Sequence, residues 1–359
     1  MDSLLFSPVK LGALELRNRV VMAPMTRNRA SQDGVPPPSM ARHYADRASA
    51  GLIVAEGAWP TAEGQAYNRQ PGIATAAHVQ GWRAVTDAVH AQGGSIVLQI
   101  MHSGRIGSRW IKPEGVRSVS STHVPAKGQI WTDSQGMQDF DVPHALTTEE
   151  VHQVIQDHAA AAQRAMDAGF DGVELHGTSG YLCLQFLHAS TNQRTDSYGG
   201  NAEQRARFAT ECLQRMADAI GADRVGLRLN PGNTFNDTSD EDSAAAHAAL
   251  MRQAAKVGIA YLHVMRSVFA PRIDAFALAR EHFGRNLILN DGFDAHSAEQ
   301  ALQAGHGEAI SFARHFIANP DLVERMRGNI ALSKFDRTTL YTPGDKGYND
   351  YPAAALQPA

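Results

Sequence analysis

The sequence reads as an α/β protein, a single-domain (β/α)8 barrel of the TIM type. Three observations carry this: eight short β-rich runs, stretches of helical periodicity between them, and no linker breaking the alternation. Most of the runs are apolar along their whole length, as parallel strands covered on both faces should be. An open doubly wound sheet shows a similar alternation, but eight units in unbroken succession favour closure. The length of 359 residues agrees, because barrels with insertions reach this size as one domain.

The expected strands span residues 19–23, 52–56, 95–100, 172–176, 225–229, 261–264, 287–289 and 309–312. Ahead of the fourth strand, Thr147 and Glu150 have capping-box spacing, and Val151, Val154, Ile155, His158, Ala162, Ala165 and Met166 keep one helix face until Gly169 stops it. A second helix begins near Asn201 and runs to Ile220, and an Ala-rich third spans about 242–256 before Gly258. Residues 101–143, rich in Gly, Ser, Pro and Trp, are too many for an ordinary βα loop and are expected to form an inserted loop or hairpin excursion over the barrel mouth. The tail, 336–359, is expected to return Tyr341 to the same opening.

Composition narrows the function. With 43% hydrophobic and 19% charged residues the chain is globular rather than disordered, and a chain of this length buries roughly 75% of its unfolded surface. Its 33 basic and 37 acidic side chains are scattered, without the cationic clusters that a nucleic-acid or membrane-surface binder needs. No run approaches the roughly 20 apolar residues of a membrane span, and the first residues show no targeting pattern, so a cytoplasmic location is expected. Cys183 and Cys212 form neither a disulfide framework nor a Cys-x-x-Cys pair and read as packing residues.

Barrel chemistry sits where strands end, because the βα loops converge there. Polar residues recur at those ends: Thr26 and Arg27 after the first strand, Glu56, then Gln99 and His102, then Glu174 and His176, then Arg228 and Asn230. Any one of them could merely cap its strand, but five strands in succession point to a convergent polar pocket. Other chemistries fail on order or spacing. Gly305-His306-Gly307 precedes a strand instead of following one, and Gly177-Thr178-Ser179-Gly180 lacks the spacing of a nucleophile elbow. The 16 histidines include no His-Glu-x-x-His helix, and no metal is expected. Asp291-Gly292 and Ala313-Arg314 follow the last two strands, where barrels often hold a phosphate.

These residues fall into ordered motifs: Asn18-Arg19-Val20 through Met22-Ala23-Pro24-Met25-Thr26-Arg27, then residues 99–105 and 173–181, and Asn192-Gln193-Arg194-Thr195-Asp196-Ser197-Tyr198-Gly199-Gly200. Ile317-Ala318-Asn319-Pro320-Asp321-Leu322 and Gly347-Tyr348-Asn349-Asp350-Tyr351-Pro352 follow. On them the chain resembles the old yellow enzyme family of flavin-dependent alkene reductases, most nearly the bacterial branch of N-ethylmaleimide and nitrate-ester reductases. The resemblance spans nearly the whole chain. It implies non-covalent FMN reduced by NADPH or NADH, and hydride transfer from flavin N5 to an electron-poor alkene or nitro substrate.

Carried over position by position, the resemblance implies that Pro24, Met25, Thr26 and Gly57 border the flavin. Gln99 and Arg228 lie at its N1 and C2 carbonyl side, and Asp291, Gly292, Ala313 and Arg314 at its phosphate. Tyr181 matches the proton donor, and His176 the first of two residues that hydrogen-bond the substrate oxygen. Tyr67, Met101 and Tyr341 match substrate-side positions. Three departures stand out: Ser179 occupies the second oxygen-binding position, where the family has His or Asn; Met101 replaces a tryptophan; and Ala313 replaces a glycine. The chain is expected to act as a monomer or homodimer. An isomerase or cyclase on the same scaffold, and a flavin-binding protein without reductase activity, are the competing readings.

Overall fold

The computed structural model describes residues 3–239, 241–267 and 272–354. Its centre is a closed parallel barrel of β1 (Val20–Met22), β2 (Leu52–Ala58), β3 (Ile96–Ile100), β4 (Gly172–Gly177), β5 (Val225–Leu229), β6 (Tyr261–Met265), β7 (Leu287–Asn290) and β8 (Ala309–Phe312), with β8 pairing back to β1. Each expected run is a barrel strand. β2 continues two residues beyond its expected end, with a register irregularity against β3 between Ala55 and Ala58.

The crossover helices follow the patterning. α1 is Pro38–Ala45, α2 Ala76–Ala91, α3 Thr148–Asp167, α4 Ala202–Ile220, α5 Ser243–Val257, α6 Ala275–His282 and α7 Ala295–Gln303. The capping box of α3 forms as spaced: Glu150 N–H donates to Thr147 Oγ1 at 3.2 Å, and Thr147 N–H donates to Glu150 Oε2 at 2.8 Å. This satisfies two amides that the helix itself cannot pair.

The core has two layers around the barrel, and a third small apolar cluster of Ala66, Met101, Ile106, Ala126 and Tyr181 lies apart from them. Apolar residues between strands and helices, such as Ile53, Leu98, Leu175, Leu227 and Leu289, form the larger one. The smaller layer fills the barrel's N-terminal end, where Val21, Leu52, Val54, Val97 and Ile288 pack on Leu11, Leu14 and Leu16. Those leucines belong to an antiparallel hairpin of Val9–Leu11 with Leu14–Leu16, which sequence patterning did not reveal. Closing that end with leucines leaves the opposite end for polar groups.

Residues 101–143 are more ordered than a loop. They contain the hairpin Gln129–Thr132 with Gly136–Asp139, and Val119–Ser120 pairs with His144–Ala145. An ion pair between Arg69 and Asp133, and Asn68 Nδ2 donating to the Trp131 carbonyl at 3.3 Å, tie the hairpin to the loop after β2. The tail up to Ala354 crosses the same face. Arg29 Nη1 and Nη2 donate to the carbonyls of Leu340 at 2.5 Å and Thr339 at 2.7 Å, and Arg27 Nη2 donates to the Gly347 carbonyl at 2.7 Å.

Candidate active site

A cavity of about 1670 Å³ opens where the strands end. It exceeds the roughly 300–1,000 Å³ of most small-molecule sites, so it has room for a cofactor with a substrate beside it. All the flavin-side, catalytic and substrate-side residues expected from the resemblance line it except Gly57, whereas the strand-end residues Glu56, His102, Glu174 and Asn230 do not. Gly57 lies behind Met101, whose Sδ would stand 2.7 Å from a Cβ added at that glycine. A side chain there would displace Met101 into the cavity.

Strand register assembles the inner wall. Gln99 is the partner of Glu174, His176 of Arg228, and Arg228 of His263. Gln99 Nε2 donates to Glu174 Oε1 at 2.8 Å, and Glu174 Oε2 lies 2.8 Å from His263 Nδ1. Ser311 Oγ is 2.7 Å from His263 Nε2, and Arg228 Nη2 donates to Asn290 Oδ1 at 2.7 Å. Burial depresses His263 to about 4, with the Arg228 cation adding to the effect, so the imidazole is neutral. It donates from Nδ1 to the carboxylate, which leaves Nε2 as an acceptor with Arg228 Nη1 and Ser311 Oγ both beside it. Burial opposes charge on Glu174, but His263, the Arg228 cation and Gln99 outweigh it and hold the carboxyl below its ordinary range. The network therefore fixes Arg228 as a cation on the cavity wall.

The substrate side is built from β4 and the turn that follows it. The Thr178 N–H donates to His176 Nδ1 at 3.3 Å, and burial, reinforced by Arg228, lowers the imidazole to about 3. A neutral ring that accepts at Nδ1 carries its proton on Nε2, which makes His176 a hydrogen-bond donor. Tyr181 packs edge-on against it with ring centroids 4.9 Å apart. Its hydroxyl lies 2.7 Å from that of Tyr67, and burial, with Tyr67 adding to it, raises its pKa well above the ordinary phenol value. Tyr181 is thus a protonated acid at neutral pH. Ser179 takes a left-handed backbone, φ +59°, and its hydroxyl lies 3.0 Å from that of Thr178.

At the other end of the cavity Asp291 and Gly292 are both left-handed, φ +81° and +78°. Arg314 lies largely exposed beside them, its Nη2 3.5 Å from Asp291 Oδ1. The residues present fit FMN: a fixed cation and the Gln99 amide stand at the inner wall, and a turn with an arginine beside it stands at the rim.

Sequence reading missed three participants, Asn290, Ser311 and His263; Glu174 was expected at the strand end, but not its contacts inside the barrel. Asn290 and Ser311 lie at or near the ends of β7 and β8, so the strand-end rule reaches them once β7 is extended by one residue. Glu174 and His263 carried a signal too, since polar residues inside apolar strands of a barrel face each other through register. Cys183 and Cys212 are buried free thiols, consistent with packing roles.

Taken together, the wall chemistry describes a flavin-dependent oxidoreductase on a (β/α)8 scaffold. Residues 4–333 match the NADH:flavin oxidoreductase / NADH oxidase family. The chain is 43% identical over 353 residues to a probable flavin mononucleotide-dependent alkene reductase of Leishmania infantum, covering 97% of each. It is 39% identical over 357 residues to 12-oxophytodienoate reductase 1 of Oryza sativa subsp. japonica, covering 97% of this chain and 92% of the relative. Among solved structures, a morphinone reductase mutant in complex with tetrahydroNAD superposes with a TM-score of 0.94 at 39% identity, covering 98% of each chain. The old yellow enzyme homologue from Zymomonas mobilis gives 0.93 at 37%, covering 98% of this chain and 99% of that one. The chain belongs to this family, the old yellow enzymes, and is an FMN-dependent ene-reductase.

Proposed function

We propose that the cavity reduces electron-poor C=C bonds of α,β-unsaturated carbonyl, maleimide, quinone or nitro compounds, with Tyr181 as the proton donor. The observation that carries this reading is the pairing of a neutral His176 donor with a protonated Tyr181 phenol on one cavity wall. FMN, when bound, supplies the hydride that the nicotinamide delivers. Gln99 and Arg228 would hold its pyrimidine side, Pro24, Met25, Thr26 and Gly57 its other edge, and Asp291, Gly292, Ala313 and Arg314 its phosphate. Arg228 is a fixed positive partner for charge that builds up on the reduced cofactor. His176 Nε2 donates to the substrate's carbonyl or nitro oxygen and draws charge there as the β-carbon is reduced. Tyr181 then gives its proton to the α-carbon.

Ser179 narrows the substrate range. Its hydroxyl is shorter than an Asn or His side chain and lies within reach of Thr178, so the second oxygen contact is weak. Acceptors that are strongly activated on their own, such as maleimides, quinones and nitroalkenes, are the substrates this site favours over simple enones. Nicotinamide as reductant suits a cytoplasmic setting, and no helix among the described residues is long and apolar enough to cross a membrane. The test is anaerobic: NADPH or NADH bleaches the FMN-loaded protein, and a maleimide or enone restores the colour. Failure of any acceptor in such a panel to restore it contradicts the proposal, and turnover without net nicotinamide oxidation favours an isomerase.

A further inference from the structure

The geometry points to Tyr67 as the residue that reloads the proton donor: its hydroxyl and that of Tyr181 form a relay carrying a proton from the cavity mouth to the substrate. The inference rests on the reading of Tyr181 as the acid. The two oxygens are 2.7 Å apart, and a phenol has one proton to donate, so only one member of the pair can donate to the other. For Tyr181 to aim its proton at carbon, its oxygen must be the acceptor and Tyr67 the donor.

Position supports that direction. Tyr181 is 6% exposed, Tyr67 is half-buried, and Tyr341, which lines the same cavity, is 58% exposed. The three phenols thus grade from interior to solvent. The loop that carries Tyr67 is tied down by hydrogen bonds. The Tyr67 N–H donates to Gln70 Oε1 at 3.3 Å, and Gln70 Nε2 donates to the Gly57 carbonyl at 2.9 Å. The buried Lys112 reaches across from the excursion to the carbonyls of Glu63 at 2.5 Å and Gln65 at 2.6 Å. Burial raises the pKa of both phenols, but their shared hydrogen bond lowers that of Tyr67 and raises that of Tyr181. Tyr67 is the less buried of the two, so once the pair has lost one proton the charge is better solvated there.

The step balances. The carbanionic α-carbon forms a C–H bond as the Tyr181 O–H breaks; the Tyr67 O–H breaks as that of Tyr181 re-forms; and water at the mouth returns a proton to Tyr67. Nothing is oxidised or reduced.

The test uses FMN-loaded wild type, Tyr67→Phe and Tyr181→Phe, each reduced anaerobically and mixed with a nitroalkene. The anion left by hydride addition to a nitroalkene is stabilised by the nitro group, so its protonation can be followed as a separate absorbance phase. In Tyr67→Phe this phase is expected to slow about tenfold. Its dependence on the D2O fraction is expected to change from curved in wild type, with two protons moving, to straight, with one. A straight dependence in wild type, or a curved one retained in Tyr67→Phe at any rate, overturns the relay. If instead Tyr181→Phe protonates the anion as fast as wild type, the assignment of Tyr181 as the acid is what fails.

Discussion

Ser179 is the residue at which chemistry and backbone disagree. Its left-handed φ suits asparagine, which enters that region several-fold more often than other non-glycine residues, and its side chain is too short for the role its position implies. Ser179→Asn should therefore raise stability by about 0.5–1 kcal/mol and also increase turnover of cyclohexenone. Thermal denaturation and steady-state kinetics on the same preparation check both. Unchanged cyclohexenone turnover would remove Ser179 from the account of substrate range. Glu174 poses a different case, because its carboxylate joins Gln99, His263 and the Arg228 cation inside the barrel. Removing one member of a buried charged network leaves the others uncompensated, so Glu174→Ala should cost about 3 kcal/mol and weaken FMN retention through Arg228. Urea titration and the flavin-to-protein ratio after gel filtration measure the two effects.

At the level of elements, the tail is the piece that a surface loop would not resemble. Arg29 donates to four tail carbonyls, those of Thr339, Leu340, Gly344 and Lys346, while Tyr348 stacks on His43 with centroids 3.8 Å apart under the Arg27 and Arg29 cations. That strap carries Tyr341 to the cavity. Arg29→Met removes the donors but keeps much of the apolar stem. It should leave the barrel folded, expose residues 336–348 to limited proteolysis and raise KM for bulky acceptors several-fold. A protected tail in this variant would show that Tyr348 packing alone suffices. The sequence placed the barrel strands and the helix caps because periodicity and capping are local. It could not show the N-terminal hairpin, whose alternating Val9–Leu11 and Leu14–Leu16 are too short to stand out, nor which residues of the excursion pair as its hairpin, Gln129–Thr132 with Gly136–Asp139.

Across the whole molecule, burial has set the response to acid. His247 and His263 lie at about 4 in the folded protein, chiefly through burial, against about 6.5 for an unfolded histidine. Each stays neutral when folded and takes up a proton on unfolding below pH 6.5, so the stability it contributes is present above that pH and lost toward pH 4. The full loss is about 3 kcal/mol for each. Glu56, raised by burial to about 7, acts in the opposite direction, since the folded state keeps a proton that the unfolded carboxyl releases above about pH 4.5. The two histidines together outweigh it, and further buried ones such as His102 and His188 act in the same direction as they do. The thermal midpoint should therefore fall from pH 6.5 to pH 5, less steeply in His247→Gln, and a flat profile would contradict this. The site was legible wherever a polar residue closed an apolar strand, as at Gln99, His176 and Arg228. Tyr67 and Tyr181 were named through the resemblance, but their contact was hidden because it depends on two loops meeting. That meeting matters because Tyr181 is proposed to protonate the carbon beside the one reduced. Single-turnover reoxidation of the pre-reduced, FMN-loaded enzyme by an enone, in wild type and Tyr181→Phe, tests it most directly. Tyr181→Phe should lose about 100-fold or more; reoxidation and saturated product at the wild-type rate would rule Tyr181 out as the acid.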